Sequence, residues 1–193
     1  MNKNKNRAGL NNLTKKVVLS AILSALGVVF LTIGSFIGVL DLSSAAIAGF
    51  VLVIAVIELG GKYSVMMYFV ISILSLLVLP NKYPALFFVF FGGFYPLFKS
   101  YIERFHYIVA WVVKFSMFNF FLAVMIVVIK FLSEKGFLPP FEDNNLYNFF
   151  GIFKIIVFVV ANFIFLLYDI AMTRIINLYI IKIRKIIGLK NYF

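Results

Sequence analysis

The residues with the most chemical potential in this sequence are ionisable and amide side chains that interrupt long apolar stretches. A charge in an apolar segment loses its hydration at a high cost, so such residues usually mark substrate pathways, ion pathways or proton relays. They are Glu58, Lys114, Lys154 and Asp169, together with the amides Asn119 and Asn162. The chemistry they offer is the binding or passage of a polar solute through an apolar interior.

Glu58 and Lys114 are predicted to form an intramembrane ion pair. At 1.5 Å per residue, Lys114 lies about 10 Å and Glu58 about 6 Å from the inner ends of their apolar stretches. These depths are compatible with contact between the ammonium and the carboxylate. An ion or proton carrier that uses Glu58, Lys114 and Asp169 is therefore one alternative function.

Lys154 lies nearer the opposite boundary, about 8 Å from the outer end of its stretch. Lys154, Asn162 and Asp169 share a sector of about 80° on one helix, which indicates a face turned towards a bundle interior. We expect Lys154 and Asn162, with Asn119 at greater depth, to line an outward-opening pocket for a small anionic or carbonyl-bearing ligand. The alternative is that Lys154 extends to the lipid headgroups and that the asparagines join neighbouring helices.

Aromatic residues of the fourth apolar stretch offer a second binding surface. A flat heterocycle could stack there, with Tyr95 as its polar edge. The phenylalanines concerned are Phe87, Phe88, Phe90, Phe91 and Phe94. Phenylalanine is also an ordinary lipid-facing residue, so the alternative is simple contact with lipid.

Several enzyme classes are excluded by the residues available. The sequence has one histidine, His106, and no cysteine, so it lacks the residues of a zinc hydrolase, a thiolate metal site or a disulfide. No G-x-S-x-G motif occurs, and Gly60-Gly61-Lys62-Tyr63 lacks the spacing and the hydroxyl of a phosphate-binding loop. We therefore predict a protein that is not an enzyme and has neither a metal nor a cofactor.

The elements that position these residues are membrane-spanning helices. Of the 193 residues, 64% are apolar and 13% are charged, and the mean hydropathy is +1.07. A span needs about 20 apolar residues. We predict an all-α integral membrane protein, one domain over residues 1–193, with a compact six-helix bundle at about 17–178 between basic tails at 1–16 and 179–193. The predicted spans are 17–40, 42–59, 63–79, 85–98, 107–129 and 149–169.

The fourth span is predicted to be kinked or interrupted. It is short and contains Gly92, Gly93 and Pro96. A broken helix at membrane depth requires neighbouring helices to satisfy the freed backbone groups. This irregularity makes the span a candidate cavity wall.

The distribution of basic residues predicts the orientation. Inner loops and tails carry an excess of Lys and Arg, so six spans with both termini in the cytoplasm should collect most of them on one side. This assignment leaves only Lys82, Lys130 and Lys135 outside. The residues inside are Lys3, Lys5, Arg7, Lys15, Lys16, Lys62, Lys99, Arg104, Arg174, Lys182, Arg184, Lys185 and Lys190. The net charge of +11 thus reflects topology and contact with anionic lipid, and it does not indicate nucleic acid.

Small residues form two stripes on the first helix. Ala21, Ser24, Ala25 and Thr32 lie on one side, and Ser20, Gly27, Gly34 and Gly38 lie about 120° or more away. Small residues let helices approach closely. One stripe is expected to serve the protein's own bundle, and the other is available to a partner helix.

Residues 15–29, Lys-Lys-Val-Val-Leu-Ser-Ala-Ile-Leu-Ser-Ala-Leu-Gly-Val-Val, resemble the opening of the substrate-binding subunits of energy-coupling-factor transporters. The likeness covers the whole chain in length and topology, and at the level of motifs only this helix. It implies that Ala21, Ser24 and Ala25 dock on an energising transmembrane subunit, while two separate ATPase subunits supply the energy. It also implies a vitamin or other micronutrient as the small-molecule substrate, captured from outside at the cell membrane.

An alternative from a different functional class is a non-transporting membrane scaffold of the cell-envelope elongation machinery. Such a protein would use the small-residue stripes and the basic ends to bind other proteins, and Lys154 would contact lipid.

Overall fold

Every element in the described part of the chain is helical. The computed structural model describes residues 3–103, 106–136 and 152–183. The helices are α1 (Lys3–Phe36), α2 (Asp41–Glu58), α3 (Gly61–Val78), α4 (Tyr83–Phe87), α5 (Phe94–Ile102), α6 (Tyr107–Glu134) and α7 (Ile152–Leu178). A 3-10 turn at Gly38–Leu40 precedes α2, and π-helical turns lie at Phe88–Gly92 and Tyr179–Ile183.

Within the described ranges, six segments are long and apolar enough to cross a membrane, which indicates a multi-pass membrane protein. They are Leu13–Phe36, Gly38–Glu58, Gly61–Val78, Tyr83–Ile102, Ile108–Glu134 and Phe158–Lys182. The first five agree with the predicted spans within a few residues. The sixth overlaps the predicted 149–169 and begins and ends later. The helix α7 continues past Asp169, whose charge is compensated by an internal partner described below.

The chain separates into two compact units, residues 1–104 with 175–193 and residues 105–174. The predictions of one domain over 1–193 and of one bundle over 17–178 concern both units together and stay predictions. The predicted N-terminal tail at 1–16 is helical from Lys3, as the first part of α1.

The core of the first unit lies where α1, α2 and α3 meet the α4 segment. Leu31, Leu52, Ile71 and Phe88 are fully buried there. Two glycines of the α1 stripe face this core: a methyl group at Gly27 would lie 2.8 Å from the side chain of Ile71, and one at Gly34 would lie 2.0 Å from Ser44 Oγ. Gly27 and Gly34 therefore serve the protein's own packing, as predicted for one of the two stripes.

The predicted interruption of the fourth span is confirmed. Between α4 and α5 the chain makes a π-helical turn, in which the Gly93 N–H donates to the Phe88 carbonyl at 2.7 Å. The Tyr68 hydroxyl of α3 donates to the Val89 carbonyl at 3.0 Å. A neighbouring helix thus satisfies a backbone group of the irregular turn, as a broken helix at membrane depth requires.

One polar cluster joins the helix ends of the first unit. The Asn81 N–H donates to Ser35 Oγ at 2.9 Å, and the Ser35 hydroxyl donates to the Asn81 carbonyl at 3.1 Å. The Asn81 side chain accepts from the Tyr83 N–H at 3.1 Å and reaches both carboxylate oxygens of Asp41 at 3.4 Å. Asn81 therefore ties the α3–α4 connection to the end of α1 and the start of α2.

Gly92 is expected to tolerate no side chain. A methyl group there would lie 2.2 Å from the Ala45 carbonyl oxygen of α2, which is backbone and cannot rotate away. We predict that Gly92→Ala lowers the free energy of unfolding by about 1–3 kcal/mol, as overpacking does. Thermal unfolding of the detergent-solubilised protein measures the change.

Gly38→Ala is the matched control, because nothing lies within 4 Å of a methyl group at Gly38. An equal melting temperature for the two variants would show that α2 does not approach Gly92 this closely.

Candidate functional site

A buried ion pair joins α6 and α7 within the second unit. Lys114 Nζ lies 3.2 Å from each carboxylate oxygen of Asp169. Lys114 is 5% exposed and Asp169 is 3% exposed. Each charge has its counter-ion in place, which is the condition for keeping both inside an apolar segment.

The pair belongs to a set of layers that run along two antiparallel helices. One helical turn beyond the ion pair, the Phe118 and Phe165 rings stack with centroids 4.3 Å apart. The next contact joins Asn119 to Asn162. Contacts that advance along α6 move backwards along α7, so the order of layers is charge, aromatic ring and amide.

An aromatic ring of the same helix lies beside the Lys114 ammonium and begins a row of ring contacts. Lys114 Nζ lies 5.4 Å from the centre of the Trp111 ring, within the range of a cation–π interaction. The Trp111 ring stacks on Phe115 at 5.6 Å, and Phe115 meets Phe165 edge to face at 5.7 Å. The charge layer thus borders a continuous aromatic surface.

The two asparagines form a reciprocal amide pair. Each Nδ2 donates to the other residue's Oδ1 at 3.1 Å. Each Nδ2 also donates to a carbonyl one turn back in its own helix, Phe115 for Asn119 and Phe158 for Asn162, at 2.9 Å. These amides join the helices, as in the alternative that the sequence left open for them, and their role in ligand binding stays a prediction.

Lys114 does have a carboxylate partner in the membrane, and that partner is Asp169. The predicted partner Glu58 is 6% exposed at the end of α2, in the other unit, and its pairing with Lys114 stays a prediction. The signal for Asp169 was present in the sequence. Asp169 shares a helix face with Asn162, and it lies at a similar distance from the end of α7 as Lys114 from the start of α6.

The remaining predicted ligand-binding residues are not brought together by the described contacts. Tyr95 belongs to α5 of the first unit and is 2% exposed, with Lys99 Nζ 5.9 Å from the centre of its ring. Lys154 lies in α7, and its side chain is outside the described residues. Its role in a pocket stays a prediction.

Lys99 is a buried charge that the sequence does not reveal. It is predicted to start an inner loop, but α5 continues to Ile102 and Lys99 is 1% exposed. Its ammonium lies 3.1 Å from the Glu103 carboxylate, one turn further along. This neighbouring carboxylate lets a lysine remain inside at the end of a helix.

The predicted docking residues of α1 fall into two groups. Ala21 and Ala25 are exposed, whereas Ser24 is 6% exposed. On a helix Ser24 lies on the side of Leu31, in the core, and the two alanines lie on the side of Val29, which is 52% exposed. The exposed small-residue face therefore consists of Ala21 and Ala25 without Ser24.

Among the described residues, no group of three His, Cys, Asp or Glu side chains is placed to hold a metal ion. No family model matches the chain, and no curated protein or solved structure matches it either.

The amide pair predicts a specific pattern of coupling. We expect Asn119→Leu or Asn162→Leu alone to cost about 1 kcal/mol of stability, since each leaves the other amide without its interhelical partner. The double variant should cost clearly less than the sum of the two. A double-mutant cycle by thermal unfolding measures this, with Ser116→Leu at an exposed position of α6 as the control.

Strictly additive losses would contradict the pairing. So would a loss as large for Ser116→Leu as for Asn119→Leu.

Proposed function

We propose that this protein is the membrane-embedded substrate-binding subunit of an energy-coupling-factor type importer. In this role it captures a vitamin or other small micronutrient from outside the cell. An energising transmembrane subunit and two ATPase subunits carry out the energy-dependent steps. The chain itself has no phosphate-binding loop, which is consistent with this division of labour.

The proposal rests on the exposed alanine pair of α1. Ala21 and Ala25 lie one turn apart on the exposed side, while Gly27 and Gly34 are used for packing inside the unit. Small exposed residues at this spacing let a second helix approach the backbone of α1 closely. The position fits the docking residues implied by the family resemblance, with Ser24 removed from the set.

The neighbourhood of this pair also fits a partner that approaches from the basic end of α1. A shallow, open groove beside Ala21 is lined by residues of α1 alone, Thr14, Lys15, Val18, Leu19 and Ile22. If the termini are cytoplasmic, as the charge distribution predicts, this groove opens at the inner face of the cell membrane. A partner helix along that face would meet the groove and the alanine pair together, and the basic tails would contact anionic lipid.

A membrane scaffold is the second candidate, and the amide pair favours it. Asn119 and Asn162 satisfy each other and their own helices, so they act as structural links. A scaffold needs stable helix contacts and exposed faces for other proteins, and it needs no ligand. The two functions differ in whether the purified protein is stabilised by a small molecule.

Replacement of the alanine pair tests the docking role. We expect Ala21→Trp with Ala25→Trp to reduce recovery of the energising and ATPase subunits with the tagged chain at least ten-fold, because two indole rings prevent close approach of a helix. The subunits are identified by mass spectrometry, and the recovered complex is assayed for ATP hydrolysis. Ile73→Trp, at a position of α3 that is 56% exposed, is the control.

A ligand screen on the same proteins separates the two candidates. A vitamin, nucleobase and amino-acid panel should contain a compound that raises the melting temperature of the wild type and of the alanine-pair variant equally. A wild type that copurifies with no ATPase subunits and responds to no compound would overturn the transport proposal and favour the scaffold.

A further inference from the structure

The Lys114–Asp169 pair has the chemistry of a binding site for a zwitterion. Its two groups are a hydrogen-bond donor of positive charge and an acceptor of negative charge, side by side and buried. A ligand with an ammonium and a carboxylate can replace both groups at once. Its carboxylate would take the place of Asp169 beside Lys114, and its ammonium would take the place of Lys114 beside Asp169.

Charge balance selects a zwitterion over other ligands. A ligand with one charge would pair with one residue and leave the other buried without its counter-ion, which is strongly unfavourable. A zwitterion leaves each residue compensated before and after binding, so the exchange adds no net charge to the apolar interior. This selectivity follows from the pair itself and needs no further polar group.

The surroundings of the pair favour a ligand with an apolar body. The Trp111 ring already faces an ammonium, that of Lys114, at 5.4 Å. One turn further, Phe115, Phe118 and Phe165 form a layer in which aromatic rings stack and meet edge to face. A ring or branched chain attached to the zwitterion would insert between these side chains, where apolar contact is favourable.

We propose that α6 and α7 bind an amino-acid-like zwitterion with an apolar or aromatic side chain, by exchange of the Lys114–Asp169 pair. This inference rests on the proposed function, since it names the class of substrate that the subunit would capture. The ligand's two charges would contact Lys114 and Asp169, and its apolar body would contact the neighbouring aromatic layer.

The test uses the purified full chain and four probes of matched shape. Phenylalanine carries both charges, phenethylamine only the positive one and 3-phenylpropionate only the negative one, while glycine has both charges without the ring. At a concentration about 100-fold above its Kd, phenylalanine should raise the melting temperature by about 5 °C or more. Glycine should bind at least ten-fold more weakly, and the singly charged probes should give no shift.

Variants of Lys114 and Asp169 test whether phenylalanine binds at this pair. Lys114→Met and Asp169→Asn should each weaken phenylalanine binding at least ten-fold, whereas Lys130→Met, at an exposed position of α6, should leave it unchanged. Equal binding by the wild type and either pair variant would overturn the inference. Equal shifts with all four probes, or none with phenylalanine, would overturn it as well.

A variant in which the two charged residues are swapped controls for misfolding of the single variants. The double variant Lys114→Asp with Asp169→Lys keeps one ion pair, so its melting temperature without ligand should return close to that of the wild type. Its affinity for phenylalanine should recover with the melting temperature, because one ammonium and one carboxylate again lie side by side. A variant that regains the wild-type melting temperature but binds phenylalanine at least ten-fold more weakly than the wild type would overturn the inference.

The tests of the zwitterion site and of the importer role can fail independently. A chain that copurifies with ATPase subunits and is stabilised by a vitamin, but ignores phenylalanine, overturns this inference alone. A chain that binds phenylalanine through Lys114 and Asp169 without any ATPase partner overturns the proposed function and supports the zwitterion site.

Discussion

Inside an apolar environment a polar group has to find its partner within the protein, and the described contacts of this chain are organised by that requirement. The ammonium of Lys114 is kept beside the carboxylate of Asp169, and the amide of Asn119 beside that of Asn162. Water cannot replace a lost partner there, so each contact fixes the position of two helices at once. The aromatic layer between the charge and amide layers then fills the space that these contacts define.

In the first unit, backbone groups also take part in meeting this requirement. At the π-helical turn a tyrosine hydroxyl from α3 satisfies the Val89 carbonyl, and at the helix ends Asn81 links three segments through its side chain and backbone. Neighbouring segments approach α2 closely at glycines, at Gly34 beside Ser44 and at Gly92 beside the Ala45 carbonyl. The first unit therefore combines close backbone approach with side-chain contacts such as that of Asn81 with Asp41, whereas the contacts described between α6 and α7 are made by side chains.

Much of this architecture can be predicted from the sequence, because hydropathy and helix length determine the spans. The interruption of the fourth span is predictable too, since Gly92, Gly93 and Pro96 disfavour a regular helix. The identity of each polar partner is harder to predict. Depth alone made Glu58 a suitable partner for Lys114, whereas the choice of Asp169 depends on how α7 is rotated against α6. Lys99 resembled a loop residue because the carboxylate that compensates it, Glu103, follows only after a further turn.

The π-helical turn at Phe88–Gly92 has a consequence for the part of the chain that follows it. A π turn accommodates one more residue than an α turn, so it acts as a one-residue insertion that resets the rotational phase of α5. If the same residues formed a regular α-helix instead, everything beyond the turn would be rotated by about 100°. Tyr95 and Lys99, now 2% and 1% exposed, would rotate out of the protein interior. The direction in which α5 presents its polar side chains is thus determined by one extra residue upstream.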